Sequence, residues 1–213
     1  MKKGKRYDVS DLVEAQYEPD SDNKVLRNLL GIKDTAEMDL AEANALTRAT
    51  HTLIGEYDQE HQFSAADICH FHKTWLGDIY QWAGHYRKVN ISKDDFSFAM
   101  AAQVQNLMVV FERDQLSKYT PCNFEKIDDI VKALAETHTE LVLIHPFREG
   151  NGRTARLLST LMALQANLAL LDFTMIEKKR QDYFLAVQAG MDRNYAPMEK
   201  LFAEIISISA ARG

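Results

Sequence analysis

His145-Pro146-Phe147-Arg148-Glu149-Gly150-Asn151-Gly152-Arg153-Thr154-Ala155-Arg156 lies between two apolar runs, Leu141-Val142-Leu143-Ile144 before it and Leu157-Leu158-Ser159-Thr160-Leu161-Met162 after it. That layout predicts two helices joined by a polar turn. Gly150-Asn151-Gly152 can take positive φ at little cost, since Gly lacks the Cβ clash and Asn tolerates the left-handed region. Successive N–H groups in such a turn form an anion-binding concavity. A helix starting near Gly152 or Arg153 adds its free N–H groups and positive dipole end. Arg153 and Arg156 share one helix face, and guanidinium forks match phosphate oxygens. Glu149 can hold Mg2+, which takes one or two carboxylates plus phosphate oxygens. His145 can accept a proton near neutral pH. Phe147 alternates with His145 and Glu149, so it reads as an inward anchor. The inventory is that of a nucleotide site, although neither G-x-x-x-x-G-K-[ST] nor G-x-G-x-x-G is present.

Outward from this segment the apolar periodicity is helical almost everywhere. Leu40–Ile54 follows an Asp34 or Thr35 cap, and Ser64-Ala65-Ala66-Asp67 resembles a helix start. Met100, Val104, Leu107, Met108 and Phe111 form another apolar face, and Asn123 can cap the long helix that leads into His145. The next helix runs to about Ala166, with two more near Glu177–Gly190 and Pro197–Ala210. The exception is Gly84–Phe98, whose β-branched and aromatic residues alternate around Ser92-Lys93-Asp94-Asp95 and read as a small hairpin. The fold class is therefore all-α (mainly α), a helical bundle with one hairpin. Residues 1–22 read as an irregular N-terminal leader packed in part, and 23–213 as a single domain.

Composition agrees with one compact domain. The 213 residues are 46% hydrophobic and 26% charged, ordinary globular values. A net charge of −6 disfavours nucleic acid as a partner, while leaving room for a local basic pocket. Cys69 and Cys122 are too few for a disulfide framework and read as reduced thiols. No stretch has the length of a transmembrane span, and no signal-peptide core follows the basic start, Met1–Arg6. The expectation is a cytoplasmic protein without a membrane partner, unless a specialised secretion system exports it. His138 reads as packing, and no histidine metal site is expected.

The twelve-residue segment resembles the signature of the Fic family, His-x-Phe-x-(Asp/Glu)-Gly-Asn-Gly-Arg-x-x-Arg. Every specified position is filled, at His145, Phe147, Glu149, Gly150, Asn151, Gly152, Arg153 and Arg156. Doc-type relatives depart in the glycine turn, so the likeness is to the Fic branch. It extends more loosely over about residues 20 to 205. The resemblance implies a Fic-type helical bundle and a protein adenylyltransferase, which moves AMP from ATP to a Ser, Thr or Tyr hydroxyl of a target protein and releases pyrophosphate. It implies that His145 takes the hydroxyl proton and Glu149 holds Mg2+. The backbone of Gly150 to Gly152 and the Asn151 side chain would hold the α- and β-phosphates, Arg153 the β-phosphate and Arg156 the γ-phosphate. Tyr183 stands where relatives often place a Tyr beside the adenine. Gly84, Arg87, Ile91 and Lys93 look like the family's flap, so Arg87, Val89, Asn90, Ile91, Ser92 and Lys93 are expected to dock the target by strand addition. Transfer of UMP, phosphocholine or a phosphoryl group is the alternative on the same fold; a nucleotide-gated binder without turnover is another.

Many Fic proteins are held inactive by a helix carrying (Ser/Thr)-x-x-x-Glu-(Gly/Asn), whose Glu pairs with the last Arg of the signature. No such motif occurs here: Thr52–Tyr57 and Ser10–Ala15 come closest and fail at the final position. Either the inhibitor is a separate small protein, as in Fic toxins of the toxin–antitoxin type, or the enzyme is unregulated by this route; a small separate antitoxin bearing the inhibitory Glu is the expected partner.

Overall fold

The computed structural model describes residues 11–93 and 96–211. Met1–Ser10 of the expected leader and the Asp94-Asp95 turn of the hairpin lie outside the described residues. Among the described residues, eight helices carry the fold. They are α1 (Thr35–Glu56), α2 (Ala65–Leu76), α3 (Ala101–Phe111), α4 (Ile127–Ile144), α5 (Asn151–Gln165), α6 (Thr174–Lys178), α7 (Arg180–Ala189) and α8 (Ala196–Ala210). α3 continues through a π-helical turn, Glu112–Leu116, to Tyr119. None among the described residues is long and apolar enough to cross a membrane.

Local chemistry explains the helix starts. Asp34 accepts the Glu37 N–H ahead of α1 at 2.9 Å. Ser64 and Asp67 form a reciprocal capping box at α2, so Asp serves where Glu or Gln is usual. Asn123 does not cap α4: that helix begins at Ile127 after Lys126. The residues before it are drawn into a loop, where the Cys122 N–H donates to Gln165 of α5 at 3.0 Å. α5 begins at Asn151, slightly earlier than expected, and the Glu177–Gly190 expectation resolves into α6 and α7 with a break at Lys179.

α4 is the central helix. Apolar side chains cover most of its circumference, and it packs on both α5 and α8. Leu134, Leu141, Leu158, Met162, Phe202 and Ile205 build this main core. A second cluster fills the space between α1 and α2, with Met38, Ala45, Ala49, Trp75, Ile79 and Tyr80. The signature turn sits between the two clusters. From the leader, Glu14 is buried and accepts the Lys88 N–H at 2.7 Å, while its carbonyl takes Arg148 Nε at 2.9 Å. Tyr17 bridges to Leu26.

The hairpin is shorter than its sequence suggests. Only Ser92–Lys93 (β1) and Phe96–Ser97 (β2) pair, in register Ser92↔Ser97 and Lys93↔Phe96. Its legs are held by Arg87, whose expected role on a docking surface needs correction. The guanidinium is buried. Nε donates to His145 O at 2.6 Å, Nη1 to Val89 O at 2.8 Å, and Nη2 to Ala99 O and to Ile144 O at 3.4 Å. One cation thus satisfies carbonyls from both hairpin legs and from the C-terminal end of α4, where the helix dipole is negative. Val89 is also buried and cannot face a partner. Asn90 is exposed, but its Oδ1 accepts the Ala101 N–H at 2.8 Å and so helps start α3. Ser92 and Lys93 are exposed, and Ile91 is half-buried.

Arg87→Met should cost about 3 kcal/mol, since it leaves buried carbonyls without charged donors. Arg87→Lys should recover little, because an ammonium cannot span them all. Urea unfolding checks the first effect. Hydrogen exchange should quicken over residues 88–100 more than within α4, and unchanged exchange there would refute the tie.

Candidate active site

α4 ends in a residue that is seldom used for the purpose. His145 closes the helix through its N–H to Leu141 O at 3.1 Å, with φ 53° in the left-handed region. Gly or Asn usually fills such a cap, so a His here carries backbone strain of the kind that clusters at functional sites. Its Nδ1 lies 3.1 Å from Val142 O. A carbonyl only accepts, so Nδ1 bears the proton and Nε2 keeps a lone pair. Phe98 from the hairpin lies flat on the ring, 3.6 Å between centroids at 20°. Burial, helped by the charges of Arg87 and Lys93, pushes the imidazole down to about 4. It is therefore a neutral base throughout the neutral range.

The turn that follows is pinned from inside. Asn151 is buried: its Oδ1 accepts the Phe147 N–H and its Nδ2 donates to Phe147 O, both at 2.8 Å. This corrects the expectation that its side chain holds phosphate, since the carboxamide is committed to the turn. Phe147 is buried and stacks on His72, 3.9 Å apart at 19°. His72 Nδ1 accepts the Gly84 N–H at 2.9 Å, so Nε2 is the donor to Glu149 O at 3.1 Å. The sequence passed over His72, whose two partners lie on distant stretches of chain.

Only Gly150 of the two turn glycines needs its special backbone. Its φ is 81°, and an added Cβ would stand 2.7 Å from Trp75 Cζ3. Gly152 is helical, and a Cβ there would meet nothing within 4 Å, so the space in front of α5 is open. The first turn of α5 has no side-chain cap. Its leading N–H groups are thus left to bind an anion. Glu149 is 47% exposed, with Oε1 2.9 Å from Gly150 N. One exposed carboxylate beside a phosphate cradle suits Mg2+, the rest of whose shell comes from phosphate oxygens and water.

The two arginines of α5 differ. Arg153 Nη2 lies 2.6 Å from the Glu42 carboxylate of α1 and 3.5 Å from Glu149, with its guanidinium 4.6 Å above the Trp75 ring. Arg156 is half-buried and has no ion pair among the described residues. It lines a cavity of about 620 Å³ together with Gly152, Lys93 and, from α6 and α7, Ile176, Glu177, Arg180, Gln181, Tyr183 and Phe184. The Tyr183 hydroxyl lies 2.9 Å from His138 Nε2. Its ring therefore forms cavity wall while the hydroxyl is tied to the core. Phe96 and Lys93 of the hairpin touch the Phe184 ring and close the cavity on that side. Glu149 and Arg153 instead line a smaller cavity of about 200 Å³ with Glu42 and Tyr80, and His145 lines neither. Sequence reasoning missed Glu42, Trp75, Phe184 and Arg180. Only Glu42 left a trace, as a carboxylate in step with Met38, Ala45 and Ala49 on the inner face of α1.

Three histidines link stability to pH. Burial lowers His72 and His145 to about 4 and His138 to about 3, from an ordinary 6.5. The unfolded chain therefore binds more protons than the native one between these values, and stability rises with pH through that window. Stability should fall as pH drops from 6.5 towards 4, with uptake of about two to three protons on unfolding near pH 5. Urea unfolding across pH measures it; a flat profile from pH 7 to 4.5 would contradict the buried neutral rings.

Residues 62–163 match the Fic/DOC family. The protein adenylyltransferase VbhT of Bartonella schoenbuchensis is 32% identical over 165 residues, which cover 75% of this chain and 33% of that one. The "Probable protein adenylyltransferase Fic" of Salmonella typhimurium is 32% identical over 152 residues, covering 68% and 71%. The chain thus spans about a third of VbhT and most of the shorter relative. The N-terminal Fic domain of a VirB-translocated Bep effector protein from Bartonella quintana superposes with a TM-score of 0.72 at 26% identity, over 90% of this chain and 91% of that one. The same effector domain with bound ADP gives 0.71 at 25% identity, over 90% and 94%. With the complete signature turn set between two packed helices, this chain belongs to the Fic/DOC family.

Proposed function

We propose that the chain is a protein adenylyltransferase, moving AMP from ATP to a hydroxyl of a target protein with release of pyrophosphate. The observation that carries this reading is His145: a neutral imidazole whose Nδ1 is committed to Val142 O, leaving Nε2 without a partner among the described residues, on the turn that leads into the uncapped start of α5. His145 Nε2 would take the proton of the attacking hydroxyl, a contribution of roughly 10²–10⁴ in rate. The hydroxyl oxygen bonds to the α-phosphorus, and the α–β phosphoanhydride bond breaks. The N–H groups opening α5 would hold the phosphates in line, and Arg156 would bind the γ-phosphate. Tyr183 and Phe184 would flank the base in the large cavity. Glu149 would hold Mg2+, whose charge offsets that of the phosphate oxygens. Ser92 and Lys93, both exposed on the hairpin, would meet a target strand.

The same reading includes control by a small partner protein. Ala43 and Leu46 of α1, Leu157 of α5 and Leu170 and Leu171 line a groove of about 530 Å³ whose wall also holds Arg153, Arg156, Asp172 and Glu177. An apolar helix face fits such a groove. A Glu on that helix would meet Arg156, which has no ion pair among the described residues.

His145→Ala should abolish AMP transfer from α-labelled ATP in cell lysate and leave ATP binding by calorimetry nearly intact; substantial residual transfer would refute the assignment. Label reaching protein from another part of the nucleotide would favour the alternative transfers. Arg156→Ala should weaken ATP about 10- to 100-fold, given roughly 1.5–3 kcal/mol for a charge-assisted hydrogen bond, and ADP far less. Equal losses would place Arg156 elsewhere. The purified chain should be active alone and silenced by the protein encoded beside it. A chain inactive alone, with Mg2+ and a broad target pool, would refute control by a partner.

A further inference from the structure

Glu42 lies outside the signature, more than a hundred residues earlier in the chain, yet it reaches into the site. Its carboxylate is 5% exposed. Oε1 accepts the Tyr80 hydroxyl at 2.7 Å and Oε2 meets Arg153 Nη2 at 2.6 Å. Its backbone carbonyl accepts Trp75 Nε1 at 2.9 Å, and the Trp75 ring supports the Arg153 guanidinium at 4.6 Å. Arg153 is thus held by charge on one side and by an aromatic face below. The nitrogen that meets Glu42 is also 3.5 Å from Glu149. One terminal nitrogen therefore meets two carboxylates, and the closer is the buried one.

We propose that Glu42 is a positioning residue: it anchors one edge of Arg153, which Glu149 meets only at 3.5 Å, and aims the rest of the guanidinium at the β-phosphate of a bound nucleotide. The proposal rests on the nucleotidyl-transfer reading. Only one of the two terminal nitrogens is committed to Glu42, so Nε and Nη1 remain to donate. An arginine already fixed loses less rotamer freedom on binding phosphate. Without the buried charge, Arg153 would tighten its 3.5 Å pairing with Glu149 and compete for the carboxylate assigned to Mg2+. Both consequences weaken a nucleotide that has a β-phosphate and spare one that ends at the α-phosphate.

ADP and AMP, each with Mg2+, should be titrated calorimetrically into the wild type and into Glu42→Gln, Glu42→Asp, Arg153→Met and Glu42→Gln/Arg153→Met variants. Glu42→Gln should weaken ADP by about tenfold, the loss of one charge-assisted contact, and leave AMP within about twofold. Glu42→Asp should recover most of the loss, and Glu42→Gln should add nothing once Arg153 is Met. If Glu42→Gln does not fold, Tyr80→Phe, which removes one tether of the carboxylate, should weaken ADP more than AMP. Equal losses for AMP and ADP, unchanged ADP affinity, or additive losses in the Arg153→Met background would overturn the proposal. A wild type that binds ADP well while Glu42 variants match it would refute the proposal alone. A wild type that binds no adenine nucleotide would remove the transfer reading and the proposal with it.

Discussion

Two hydrogen bonds between the Asn151 carboxamide and the peptide groups of Phe147 hold the site together. They close the turn on itself, because both polar ends of one planar carboxamide are fixed by the N–H and the C=O of a single residue. Phe147 is then driven into the core against His72, and alternation along the turn sends His145 and Glu149 the other way. His72 ties the same turn to Gly84, where the hairpin segment begins. A base, a carboxylate and an anion cradle are thereby placed by a shared set of buried amides and rings rather than by their own contacts.

Three arginines at the site differ by what surrounds them. Arg87 is enclosed and finds four carbonyls, so it acts as a bolt between hairpin and α4. Arg153 finds a buried carboxylate and an aromatic face, and it is partly committed. Arg156 makes no ion pair among the described residues, feels Glu177 only through space, and so retains the most capacity for an anion. A guanidinium removed from water must recover its lost hydrogen bonds. Its role is therefore readable from whether the protein supplies acceptors.

The base obeys the same logic in reverse. A half-buried imidazole flanked by cations and covered by Phe98 is costly to protonate, which keeps His145 neutral. Phe98 belongs to the hairpin and Arg87 anchors that hairpin to the carbonyl of His145 itself. The protonation state of His145 and the placing of the hairpin are consequently one mechanical unit.

The helices were legible because their information is local. Apolar spacing marks buried faces, and the caps at Asp34 and Ser64 act within one turn of their helices. The turn between α4 and α5, its inward Phe147 and the bent backbone at Gly150 were likewise written in adjacent residues. What stayed hidden depends on partners far along the chain. Asn123 looked like a cap until Gln165 drew its neighbour away. Arg87 looked like a surface residue on an alternating strand, because nothing nearby announces four carbonyls from three segments. Asn151 and Arg153 looked like phosphate ligands of equal standing, whereas a neighbouring peptide group claims one and Glu42 shares the other. Which residues meet at the turn was settled by their order along one short segment, whose spacing leaves little freedom. Tertiary structure decided which of them remain free to bind, because that depends on donors and acceptors brought from elsewhere by packing.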